Sequence, residues 1–233
     1  MSLLAVAFLV SAANARGAPS ELPVSTGTAM QVAFLLSALT LLPAVVMSIT
    51  PFLRITLVLH FLRQALGTQT VPSSQVLIGL SLFLTAVLMQ PIARRVYDDA
   101  WRPYSAGTIT GAQAFEKGLP PVRQHLLRFA REKDVALMVD IAKAPRPKSP
   151  NDLPVAVLAP AYVLSELRSG FQIGAVLFLP FLVVDLIVAS VTLSVGMVQL
   201  PPAMVSAPFK ILLFVLADGW NLVVGSLMRS LNP

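Results

Sequence analysis

The chain has no cysteine, so neither a disulfide framework nor a thiolate metal site can form. Only two histidines are present, His60 and His125, which leaves little for metal ligation or for acid–base chemistry near neutral pH. Charge is scarce as well. Asp, Glu, Lys and Arg make up 12% of the 233 residues, about half of the roughly 25% usual in soluble domains. With 56% hydrophobic residues and a mean hydropathy of +0.77, the composition argues for a membrane protein. There is no nucleophile elbow, phosphate-cradling glycine loop or His-rich metal spacing, so neither an enzyme nor a cofactor site is expected. The net charge of +6 does not indicate nucleic acid, because Lys and Arg are dispersed among Asp and Glu rather than gathered in a stripe. Contact with anionic lipid headgroups is the plainer reading.

What the chain does have is long apolar runs. The one that organises the rest covers residues 171–200 and carries a single charge, Asp185. A second, residues 211–228, carries only Asp218. The first exceeds the roughly 20 residues that cross a bilayer, and the second is close to that length. Pro201-Pro202 between them predicts a helical hairpin that turns there.

Residues 1–20 read as a signal peptide. Residues 3–10 are apolar, and Ala13-Asn14-Ala15 gives an A-x-A type site before Arg16. A short uncleaved anchor is the alternative, since no Lys or Arg precedes the apolar core. Residues 21–92 form an N-terminal helical hairpin region. Within it, residues 30–53 are free of charge, and Pro43 and Pro51 are expected to kink or break that span. The piece 54–63 is too short and too charged to cross alone, and residues 67–74 read as a loop. Residues 76–92 make a second span.

The character then changes. Residues 94–152 hold 18 of the 28 charged residues, 11 basic and 7 acidic, so 93–154 reads as a helical segment outside the bilayer. Thr110 and Gln113 have capping-box spacing. Pro121 suits a first helical turn, with Leu126, Leu127, Phe129 and Ala130 as the apolar face that follows. Asp134 is a candidate cap for residues 135–142. Pro145, Pro147, Pro150 and Pro154 suggest an extended linker. Residues 155–233 form the C-terminal hairpin, with 155–164 a short apolar piece that Ser165-Glu166-Leu167-Arg168 interrupts. The expected fold is therefore all-α and polytopic, with about four apolar spans. A cleaved signal puts the 54–74 loop in the cytoplasm, in accord with its two arginines, and the middle segment outside. Eleven basic residues on that side conflict with the positive-inside trend, which weakens for segments of about 60 residues.

A charge at mid-bilayer costs about 3 kcal/mol on insertion scales, so Asp185 and Asp218 need a purpose. Counted from the double proline, they lie at similar distances on the two arms, and two adjacent carboxylates cannot both stay ionised. They are polar locks between subunits, with Arg54, Arg63, Arg168 or Lys210 of this subunit or another as the cation, or a proton relay, or else their helices do not sit in lipid at all. Ser190/Ser194 and Thr192/Gly196 have the small-xxx-small spacing of close helix contacts. Met197 is either core filler or a flexible lining residue at a hairpin tip.

Several stretches resemble the FliP family of type III export-gate proteins: Leu62-Arg63-Gln64-Ala65-Leu66-Gly67-Thr68-Gln69, Gln75-Val76-Leu77-Ile78-Gly79-Leu80, Arg131-Glu132-Lys133-Asp134 and Leu164-Ser165-Glu166-Leu167. Phe171-Gln172-Ile173-Gly174, the run 180–185, Leu200-Pro201-Pro202, Pro208-Phe209-Lys210, residues 213–216 and Asp218-Gly219-Trp220 continue the likeness in order. The resemblance implies a channel-forming subunit of the flagellar export gate in the bacterial inner membrane, within the basal body. It implies a homo-oligomer, FliQ-like and FliR-like partners, and unfolded flagellar substrates in transit. An injectisome gate subunit is the related alternative, and a small proton-coupled transporter the alternative of another class. The family usually has two or three methionines just before Leu-Pro-Pro, forming a gasket around the pore. Here the stretch is Met197, Val198, Gln199 and Leu200, so Met197 alone supplies the thioether. Glu166, Asp185, Lys210 and Asp218 match charged positions of the family and are expected, with Arg54 as a candidate cation, to serve assembly.

Overall fold

The computed structural model describes residues 26–68, 70–143, 149, 152–196 and 201–231. The signal-peptide region 1–20, the Pro145–Pro150 linker prolines and the gasket residues Met197, Val198, Gln199 and Leu200 lie outside them. Every regular element among the described residues is helical, in agreement with the all-α expectation. Residues 1–44 and 45–233 are two separate units.

In the first unit, most of helix α1 (Thr26–Ser48) is a charge-free helix whose large apolar side chains, from Met30 to Leu42, are exposed. The helix continues through Pro43, where a kink or break was expected, and ends before Pro51. Pro51 instead immediately precedes α2 (Phe52–Ala65), where its missing N–H costs nothing.

In the second unit, α2 is the central element. Its Ile55, Val58, Leu59, Leu62 and Ala65 are all buried, the spacing of one helical face. That face packs on α3 (Ser74–Val96) and on α7 (Val155–Ser194). Ser73 caps α3 by accepting from the Val76 N–H at 3.4 Å. A π-helical turn, Tyr97–Trp101, and the short α4 (Arg102–Ser105) lead out of α3. The Thr110–Gln113 capping box is present, each side chain bonding the other's backbone N–H at 3.3 and 2.9 Å. It starts α5 (Gly111–Phe129), so Pro121 falls in the helix interior with Pro120, not in a first turn. The box ten residues upstream had already nucleated the helix. Helix α6 (Glu132–Ile141) follows. Asp134 does not cap it, because its carboxylate is drawn to α7.

The largest departure is α7. The stretch 155–168 does not form a separate piece but the first third of one 40-residue helix, which runs through Pro160 and Pro180. Glu166 and Arg168 interrupt the hydropathy, but both are good helix formers. At 1.5 Å per residue α7 is about 60 Å long, twice the roughly 30 Å hydrocarbon core. The second arm is broken as well. Helix α8 (Pro202–Leu216) and helix α9 (Gly219–Leu231) meet at a 67° bend. Asp218 sits there at φ +49°, the left-handed conformation that Asp tolerates better than most residues. Three helices among the described residues are long and apolar enough to cross a membrane, four if the bent pair counts as one span.

Candidate functional site

Helix α7 gathers the polar side chains of its neighbours along its length. Glu166 is fully buried and paired with Arg54 of α2, itself 5% exposed. The Arg54 guanidinium also lies 5.6 Å from the centroid of the Phe129 ring, a cation–π distance. A buried pair of this kind is held by geometry, since removing either partner strands the other in a dry interior. The adjacent Ser165 accepts from the Arg131 N–H at 2.9 Å and donates to Asp134 at 2.6 Å. Arg131 reaches Gln172 at 2.7 Å. These contacts tie the start of α6 to α7. Tyr162 meets His125 of α5 at 3.3 Å between its hydroxyl and Nε2. Burial, then the nearby charges of Arg128 and Arg54, lowers the His125 pKa to about 4, so this imidazole is neutral near pH 7.

A second lock lies 19 residues further along α7, about 28 Å at helical rise. Asp185 accepts from Lys210 Nζ at 2.7 Å and from Ser206 Oγ at 2.5 Å, both from α8. Lys210 is 5% exposed and Ser206 fully buried. The hairpin arms are therefore joined by a three-membered polar cluster rather than by a pair of aspartates. Asp218 stands apart from it. Its carboxylate accepts from Asn221 Nδ2 at 3.1 Å, at the bend between α8 and α9. Arg63 donates to Ser74 Oγ at 3.0 Å and to the Pro72 carbonyl at 3.3 Å, steadying the loop that follows α2.

Of the small-residue pairs proposed for close packing, Ser190 and Thr192 spend their hydroxyls on α7 carbonyls one turn back, and Ser194 on Val191. The close crossing is elsewhere. A Cβ on Gly170 would stand 2.7 Å from Leu57, and one on Gly174 would stand 2.3 Å from Phe61. The signal was in the sequence as Gly170-Phe171-Gln172-Ile173-Gly174, a GxxxG spacing, and the sequence reading passed over it.

The apolar exteriors of the second unit are extensive. Phe83 and Val87 on α3, Val176 and Ile187 on α7, and Val215 and Leu216 on α8 are each more than half exposed. Isolated apolar side chains are normal on a surface, but contiguous ones mark contact with lipid or protein.

Comparison with known proteins gives a consistent result. The FliP family profile matches residues 35–227. The flagellar biosynthetic protein FliP of Pectobacterium carotovorum is 50% identical over 201 residues, 86% of this chain and 78% of that protein. That of Bacillus subtilis is 42% identical over 208 residues, 89% of this chain and 94% of its own. That of Caulobacter vibrioides is 43% identical over 235 residues, covering 99% and 88%.

Proposed function

Because the chain belongs to the FliP family, we propose that it is a channel-forming core subunit of the flagellar type III protein export gate, needed for flagellum assembly. The observation that carries this reading is the α7–α8 hairpin. Its arms are pinned by Asp185, Ser206 and Lys210, while most of its exterior is apolar and exposed. Such a hairpin is a rigid stave that needs neighbours. Several copies side by side, with FliQ-like and FliR-like partners, would cover that surface and enclose a path for unfolded flagellar substrates.

The subunit sits in the bacterial inner membrane as a multi-pass protein, with residues 93–154 on the periplasmic side. The gasket falls to Met197, Val198, Gln199 and Leu200, in the stretch of sequence between α7 and α8. Arg54, Glu166, Asp185, Lys210 and Asp218 serve assembly by fixing the shape of each copy before it meets the next. A proton-coupled transporter fits less well. Asp185 spends both oxygens on Ser206 and Lys210, and Asp218 is engaged in a turn, which are uses for structure rather than for relay.

The test is the native mass of the full chain in mild detergent, alone and co-expressed with FliQ-like and FliR-like subunits. A defined multimer that gains mass with those partners is expected. A stable monomer indifferent to them would overturn the reading.

A further inference from the structure

At the end of α3 a cavity of about 540 Å³ opens between α3, α5 and α9. Its lining is mixed. Val87, Leu88 and Ile92 of α3 and Met228 and Leu231 of α9 supply apolar surface, and Arg95 at the end of α3, Arg128 of α5 and Arg229 of α9 bring three guanidinium groups to it, beside His125. Among the described residues, no Asp or Glu lines it. Arg95 is steadied by donating to Gln124 at 3.2 Å, Arg229 by donating from Nε to the Gly225 carbonyl at 3.2 Å, and Arg128 by lying over the Phe129 ring at 5.6 Å. A guanidinium carries five donors, so the single contacts of Arg95 and Arg229 leave others to offer. A neighbouring cavity shares Arg95, but there Asp98, Asp99 and Glu116 offset Arg95, Lys117 and Arg123, so an anion is drawn to the first.

We propose that this cavity binds the headgroup of an anionic phospholipid, the phosphate held by Arg95, Arg128 and Arg229 and the acyl chains laid along Val87 and Leu88. The placement follows from α3. This helix is apolar enough to cross a membrane, and its basic residues, Arg94 and Arg95, come in its last turn. The cavity straddles the level at which the apolar surface gives way to the basic one, which is where a headgroup lies. Its volume exceeds what an inorganic phosphate needs and admits the glycerol portion too. The inference depends on α3 as a span and not on the export-gate reading.

The experiment is native mass spectrometry of the full chain in mild detergent, titrated with phosphatidylglycerol or with phosphatidylcholine of the same acyl chains. Wild type is expected to retain phosphatidylglycerol preferentially. The triple variant R95Q/R128Q/R229Q is expected to lose that retention about tenfold or more, given the roughly fivefold that each basic side chain contributes near an anionic surface. Val87→Trp, which obstructs the cavity and keeps every charge, is expected to lose it as well. R102Q/K117Q/K133Q, which removes the same charge elsewhere, is expected to keep it. If the triple variant does not fold, Val87→Trp and the single Arg229→Gln decide. Equal retention of the two lipids, or equal loss in the control variant, overturns the proposal. So does inorganic phosphate binding to a chain that retains no lipid. A dimer that collapses in the triple variant while lipid retention is unchanged would give the cavity to an acidic side chain of a second copy instead.

Discussion

Gly174 of α7 lies so close to Phe61 of α2 that a Cβ added to it would stand 2.3 Å from the ring. The ring cannot step aside freely. It packs edge-on against Phe171 and Phe178, with centroids at 5.3 and 6.1 Å. The two helices therefore approach through a missing side chain, and the buried face of α2 closes on α7 because of it.

Gly174→Ala is expected to destabilise the fold by about 1–3 kcal/mol, the usual cost of overpacking. Thermal unfolding in detergent measures it. Adding Phe61→Leu should recover part of the loss, since contacting residues are not additive. An unchanged melting temperature for the single variant would show that the crossing yields to a methyl group and is not set by the glycine.

Glu166→Gln and Arg54→Met are each expected to cost about 3–5 kcal/mol, because either leaves a buried group without its counter-charge. The double variant R54M/E166L is expected to be more stable than either single one. Yields and melting temperatures of the three variants decide this. A double variant as poor as the worse single one would mean that the site needs its charges for more than mutual compensation.

Asp185 is partly exposed in a single copy, on a surface that lipid or a neighbouring subunit would cover, so its pair with Lys210 is expected to stabilise one copy only modestly. Its larger effect is expected in assembly. Asp185→Ala should lower the yield of the complex more than it lowers the stability of the subunit. Asp218→Val should do so too, by opposing the left-handed backbone at the α8–α9 bend, whereas Asp218→Asn should be tolerated. Normal complex yield from Asp185→Ala and Asp218→Val would remove the lock role.

His125 predicts a dependence on pH. Its pKa falls from 6.5 to about 4 in the fold, so the folded state binds fewer protons than the unfolded one between those values. Its contribution is complete above about pH 6.5, and stability is lost as pH falls toward 4. The groups around it are Tyr162, Arg128, Arg54 and the Phe129 ring. His125→Gln should flatten this part of the profile in melts at pH 7.5, 6 and 5. A profile of the same steepness would assign the acid sensitivity to other groups.

Met197→Ala is expected to let small ions leak through an assembled gate while complex yield is unchanged. Conductance of membranes carrying the complex measures it. Unaltered permeability would leave the seal to Val198 and Leu200.

The sequence by itself determined the class and the outline. Scarce charge and long apolar runs require helices that satisfy their own backbone in lipid, and the clustering of charge in residues 94–152 requires a stretch outside it. The motifs spread in order from residue 62 to residue 220 were enough to name a family. Capping at Thr110 was legible too, because the box is local. The partners were not. Glu166 reads as an interruption until Arg54, 112 residues away, neutralises it. Asp134 reads as a cap until Ser165, 31 residues away, takes its carboxylate. Asp185 and Asp218 look like a matched pair until Lys210 and Ser206 claim the first and a bend claims the second. Local pattern fixes where a helix starts and which face is greasy. Which charge meets which depends on how helices cross, and here the crossing was set by two glycines, through the contact they permit.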